Sequence, residues 1–129
     1  MNRFEHLYID AKNQLPEPWY NYPVLKDFET VTVTNLKRAW GLSVKVRLGQ
    51  QDGFWVAGYE YFSRGCNPGR KWGQYNSRKD ALLNTLGYFE HCLLNETDNG
   101  WTKKSEWNNT LIAVQEMIEK ELVVQIELF

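Results

Sequence analysis

The sequence predicts an α+β fold, a small antiparallel sheet of about three strands packed with two or three helices. Three observations predict it. Alternating, β-branched and aromatic segments fill residues 29–62. Two stretches with apolar residues at helical spacing follow. Clusters of Gly, Pro, Asn and Asp separate the segments.

The elements follow in chain order. Residues 2–13 place Phe4, Leu7, Tyr8 and Ala11 at helical spacing, which predicts a short helix. "LPEPWYNYP" comes next. Its three prolines in nine residues forbid regular structure and predict an extended linker, with Trp19, Tyr20 and Tyr22 lying across the surface. "ETVTVTN" is β-branched and alternating. In "LSVKVRL", Leu42, Val44, Val46 and Leu48 face one way, and Ser43, Lys45 and Arg47 the other. "GQQDG" is a turn. "FWVAGYEYF" is a strand with aromatics on both faces. Such a strand is central and covered on both sides, or it offers one face as a stacking platform.

"SRGCNPGRKWGQYNS" reads as a long loop ending in Ser77, a good N-cap. The helix after it, 78–94, presents Leu82, Leu86, Phe89 and Leu93 on one stripe. "NETDNG" ends it. A second helix over 105–122 carries Trp107, Leu111, Val114 and Ile118 on its stripe. With 129 residues the chain is expected to be one domain: an N-terminal helix and aromatic linker over 1–28, an α+β core over 29–124, and a tail over 125–129.

Charge is uneven. Lys37, Arg38, Lys45, Arg47, Arg64, Arg70, Lys71, Arg78 and Lys79 face only Asp52 and Glu60 between positions 37 and 79. That stretch is therefore +7 in a chain whose total is -1. A basic surface for a polyanion and a solvated mixed surface both fit. The first residues contain Glu5 and Asp10 and no apolar run, so no secretory leader is expected. No stretch approaches membrane-spanning length. A cytoplasmic setting with Cys66 and Cys92 both free is the simplest expectation. The two Asn-x-Thr triplets, at Asn95 and Asn108, are then chance matches.

No catalytic constellation stands out, and the expectation is a non-enzymatic protein without cofactor. The histidines are His6 and His91. Cys92 follows His91 directly, and neighbours on a helix point about 100° apart. No two candidate ligands show zinc spacing, so no metal residues are expected. An enzyme reading would require His91 in a concave pocket beside Cys66 or an acid.

The loop carries more. Arg64, Arg70, Lys71, Arg78 and Lys79 surround Trp72 and Tyr75, with Lys45 and Arg47 on a strand nearby in sequence. Cations interleaved with flat rings suit phosphates and bases. Glycines 65, 69 and 73 permit close backbone approach. The same loop could instead need only special dihedrals, with Trp72 as its packing anchor.

The run from Phe54 to Phe89 resembles a small module of phage and other mobile-element proteins, found beside partition-protein-like (ParB-like) and DNA-modification proteins. The features are Trp55-x-x-Gly58-Tyr59-x-Tyr61, Gly65 to Gly69, Tyr75-x-Ser77 and Ala81-Leu82. The arm domain of tyrosine recombinases gives a similar pattern. Neither resemblance brings an active site.

The last five residues, Gln125-Ile126-Glu127-Leu128-Phe129, resemble the pentapeptide by which bacterial replication and repair proteins bind the sliding clamp. That resemblance implies a partner-binding role for Gln125, Ile126, Leu128 and Phe129. Gln125 would anchor the register, while Leu128 and Phe129 fill a pocket. Other readings are a last strand burying Val124, Ile126 and Leu128, or a continued helix burying Leu122, Ile126 and Phe129.

The functional expectation is a small binding protein in the DNA metabolism of a phage or mobile element, docked on a sliding clamp and touching DNA or another polyanion. An inhibitor that blocks a host defence protein through an aromatic, loop-rich face is the alternative.

Overall fold

A computed structural model describes residues 2–35, 43–62, 64–95 and 104–127, with the backbone alone for 35, 104 and 124–127. Lys37, Arg38, Leu42, Leu128 and Phe129 lie outside the described residues.

The architecture is α+β. One antiparallel sheet has the order β1-β2-β3-β4, with strands Glu29–Asn35, Ser43–Gln51, Phe54–Phe62 and Arg64–Cys66. The fourth strand was not expected; it forms inside the segment read as loop. Helices α2 (Arg78–Asn95) and α3 (Lys104–Glu127) are long, and α1 (Ala11–Gln14) is one turn. Only fragments of the helix expected over 2–13 form. A 3-10 turn spans Glu5–Leu7, and Asp10 caps α1 by accepting from the Lys12 N–H at 3.0 Å.

Strands β2 and β3 meet at Asp52-Gly53, both with positive φ (52° and 84°), the geometry of a two-residue type I′ hairpin. On one face of the sheet the register sets Val44, Val46 and Leu48 beside Tyr61, Tyr59 and Ala57. Helices α2 and α3 pack on that face. Leu82, Leu86, Phe89 and Leu93 are buried as their spacing predicts, and so are Trp107, Val114 and Ile118. Phe62 has φ 55°, which is uncommon for an aromatic residue. Tyr61 and Phe62 nevertheless both belong to this core. Tyr61 stacks on Phe89 (5.6 Å, 18°) and Phe62 on Trp107 (5.2 Å, 7°). The Trp107 indole N–H then donates to the Leu93 carbonyl at 3.1 Å, tying α3 to α2.

Ser77 caps α2 as predicted, its Oγ accepting from the Asp80 N–H at 3.0 Å. The last helix runs past the expected 105–122, as the continued-helix reading of the tail has it. Its backbone is helical through Glu127, so Gln125, Ile126 and Glu127 are helical rather than extended. Among the described residues no helix is long and apolar enough to cross a membrane.

Candidate functional site: an aromatic cleft and an aromatic–lysine face

The structure distributes the predicted nucleic-acid residues. Arg70 is held inward. Its side chain is 11% exposed, pairs with Asp52 at 3.2 Å, donates from Nε to Gln74 at 2.9 Å, and lies by the rings of Tyr22 and Phe54. Arg78 makes a two-pronged contact with Glu29. That pair holds the Glu29 carboxyl below its usual value and lifts Arg78 further. Lys45 and Arg47 project from β2 on the face away from the helices, with Glu60 between them (4.0 and 3.4 Å). Arg64, in β4, lies 5.3 Å from the Tyr61 ring. Lys79 sits in the first turn of α2, half-buried.

Tyr75 is only 6% exposed, and its hydroxyl donates to Asn84. It is therefore a packing residue here, not an open stacking ring. The glycines have similar local roles. A Cβ at Gly69 would press on Pro23 and Val24, one at Gly65 on the Tyr59 carbonyl, and one at Gly73 on the Tyr8 ring. The room they make is filled by the chain itself. The expected single basic loop is thus divided, because carboxylates and rings of other elements hold most of its cations.

Trp72 remains. It is 43% exposed, on a 3-10 turn closed by its N–H donating to the Gly69 carbonyl at 3.0 Å. Beside it stands Trp19 (6.3 Å, tilted), and beside Trp19 the 66%-exposed Tyr20. Lys71 lies over Trp72 and Lys12 over Trp19, each 5.1 Å from the ring centroid. The proline-rich linker reaches this position because it is pinned. The Leu25 N–H donates to the Pro68 carbonyl at 2.7 Å, and the Gln51 amide to the Pro23 carbonyl at 3.0 Å. Sequence reasoning placed Trp19 and Tyr20 on the surface but did not join them, or Lys12, to Trp72. The pinning bonds that join them run between residues far apart in the chain.

A second feature had no sequence signal. A cleft of about 750 Å³ opens between the N-terminal arm, strand β3, the end of β4 and α2. Helix α2 covers β2 and β3, and α3 lies towards β1, so neither long helix covers the β4 side. The floor is Ala57, the small residue between Trp55 and Tyr59 on the helix-side face of β3. Tyr8 and Tyr75 line it, as do Tyr59 and Tyr88 (5.5 Å apart), with Trp72 on the lining as well.

Asn84 is the knot that holds the cleft. Its side chain accepts from Tyr75 at 3.0 Å and donates to the Phe4 carbonyl at 2.9 Å. Its own carbonyl accepts from Asn2 at 2.6 Å. Gly87 admits the arm, since a Cβ there would strike Asn2 and the Phe4 ring. Arm, loop and helix meet at one buried amide.

His91, Cys66 and Glu5 also line the cleft, the juxtaposition an enzyme would need. Burial pushes the Cys66 thiol up, outweighing the Tyr59 backbone and Arg47. The reactive form of cysteine is the thiolate, so this thiol is a poor nucleophile near neutral pH. His91 Nδ1 is 3.2 Å from the Asn95 amide. Burial likewise keeps the Tyr8, Tyr75 and Tyr88 phenols protonated. Among the described residues no group of three His, Cys, Asp or Glu is placed to hold a metal. No protein-family model, no curated protein and no solved structure matches this chain.

Proposed function

We propose that the chain is a non-enzymatic binding protein that holds a single strand of nucleic acid on the Trp19–Tyr20–Trp72 face. The observation that carries this reading is the exposed Trp72 indole beside the half-buried Trp19 indole, each with a lysine over it. Bases stack on flat rings whatever their sequence, and lysines beside the rings meet the phosphates. Counterion release then makes the affinity fall steeply with salt. On this reading the protein works in the DNA metabolism of a phage or mobile element. The pentapeptide Gln125–Phe129 docks it on a sliding clamp, and the two weak contacts reinforce each other through effective concentration. Docking would require the helical turn at Gln125–Glu127 to open, because Leu128 and Phe129 must enter one pocket side by side.

The test is fluorescence titration of a labelled oligothymidine at two salt concentrations, with wild type and Trp72→Ala. Base–aromatic stacking contributes roughly 1–3 kcal/mol per base, so about a tenfold or greater loss is expected in the variant. Binding that ignores both salt and the substitution rejects the reading. A salt-insensitive complex with a host protein, lost on Trp72→Ala, would establish the inhibitor reading instead. The tail is tested separately by calorimetry against a bacterial clamp. Removal of binding by Leu128→Ala with Phe129→Ala in a folded protein is expected.

A further inference from the structure

The cleft over Ala57 shares only the Trp72 ring with the nucleic-acid face, and its chemistry is selective. Four of its polar side chains are already engaged. Asn84 and Tyr75 bond each other, Asn2 bonds the arm and α2, and the Thr85 hydroxyl donates to the Ala81 carbonyl at 2.8 Å. A nucleobase or sugar read by its edges would find those donors and acceptors occupied. No lysine or arginine is among the lining residues, and His91 is the one lining side chain that could carry a positive charge to an anion. What remains is a set of phenol rings, the His91 imidazole, the Cys66 thiol and one carboxylate, Glu5, which forms no ion pair among the described residues. Ring faces carry negative quadrupole density, and a cation over them gains most where water is partly excluded. Lys71 over Trp72 shows one lining ring already attracting an ammonium group.

From these observations we infer that the cleft binds a small organic cation, an ammonium with an apolar body. Its charge lies among Tyr8, Tyr59 and Tyr88, with Glu5 near. At about 750 Å³ the cleft is within the range of small-molecule sites. Its test is separable from that of nucleic-acid binding: the variants leave Trp19, Tyr20 and Trp72 intact.

The experiment is an NMR titration with choline, its neutral carbon isostere 3,3-dimethylbutan-1-ol, and adenosine. Choline is expected to shift the signals of Tyr59 and Tyr88 and to bind about tenfold tighter than the isostere, the cation–π margin. Ala57→Leu, which fills the floor, is expected to abolish binding. Glu5→Gln, a surface change that leaves the core alone, is expected to weaken it about threefold, in line with an exposed charge partner. It also serves if Ala57→Leu fails to fold. Equal binding of choline and isostere overturns the inference, since the cleft would then be merely apolar. Adenosine binding tighter than choline overturns it in favour of a base. An absence of shifts with any probe overturns it outright.

Discussion

The two flanks of α2 are held in different ways. Towards α3 and the sheet, packing is by area: Leu82, Leu86, Phe89, Val114 and Ile118 are buried in one apolar cluster of stacked rings and aliphatic side chains. Towards the N-terminal arm, packing is by keys. Asn84 makes three hydrogen bonds counting its backbone, Gly87 and Gly73 admit Asn2, Phe4 and Tyr8, and a cleft is left beside them. Hydrophobic burial is non-directional and tolerates exchange of similar volumes. Keyed contacts tolerate little, but they leave open space with fixed walls. The difference teaches where a site can exist in so small a protein: on the flank whose geometry does not depend on being filled.

Substitutions on the two flanks should therefore differ in kind. The largest effect is expected from Phe89→Ala, which removes a fully buried ring stacked on Tyr61. A loss of about 3–5 kcal/mol of global stability is expected, measured by urea unfolding. Asn84→Leu comes next. It strands the Tyr75 hydroxyl and leaves the Phe4 carbonyl with the Leu7 N–H as its one donor, and about 1–3 kcal/mol should be lost. Hydrogen exchange should show the arm released before the core opens. If Asn84→Leu instead loosens both flanks equally, the contrast is broken.

Gly87→Ala sharpens the comparison further. Alanine favours a helix over glycine by about 1 kcal/mol, yet its Cβ collides with Asn2 and Phe4. In the whole chain it should destabilise. With residues 1–4 deleted, the same change should stabilise, and a thermal-melting cycle reads the sign reversal. The smallest effect belongs to Glu29→Gln. The Glu29 carboxyl titrates below its ordinary value of 4.5 because of Arg78. Its stabilisation is thus present above that pH and fades as pH falls through the depressed value. Both partners are well exposed, so no more than about 0.5 kcal/mol should vanish on substitution at pH 7, and less as the carboxyl takes up its proton at lower pH.

Legibility in the sequence followed the same division. β1 and β3 were found with their exact limits because period-two alternation is local, and the stripes of α2 and α3 because helical spacing is local. The fourth strand escaped notice because three residues carry no period of their own; Arg64–Cys66 is a strand only because it pairs with Tyr59, Glu60 and Tyr61. The arm was misread as one helix. Phe4, Leu7, Tyr8 and Ala11 keep helical spacing, but bonds to Asn84 and a bridge between Ile9 and Gln74 hold it in broken turns. Arg70 looked like a phosphate ligand because nothing local reveals that Asp52 lies beside it. The cleft left no trace at all, since its lining is drawn from five separate segments.

By itself, then, the sequence determined the period of each long element, the caps and turns at Ser77 and Asp52-Gly53, and therefore the α+β class. These depend on dihedral preference and side-chain spacing within a few residues. Only the tertiary structure decided which cations are neutralised, which rings are open, and where space remains. Those outcomes depend on pairs of groups far apart in the chain, whose meeting is set by the packing of the whole core rather than by either group's neighbours in sequence.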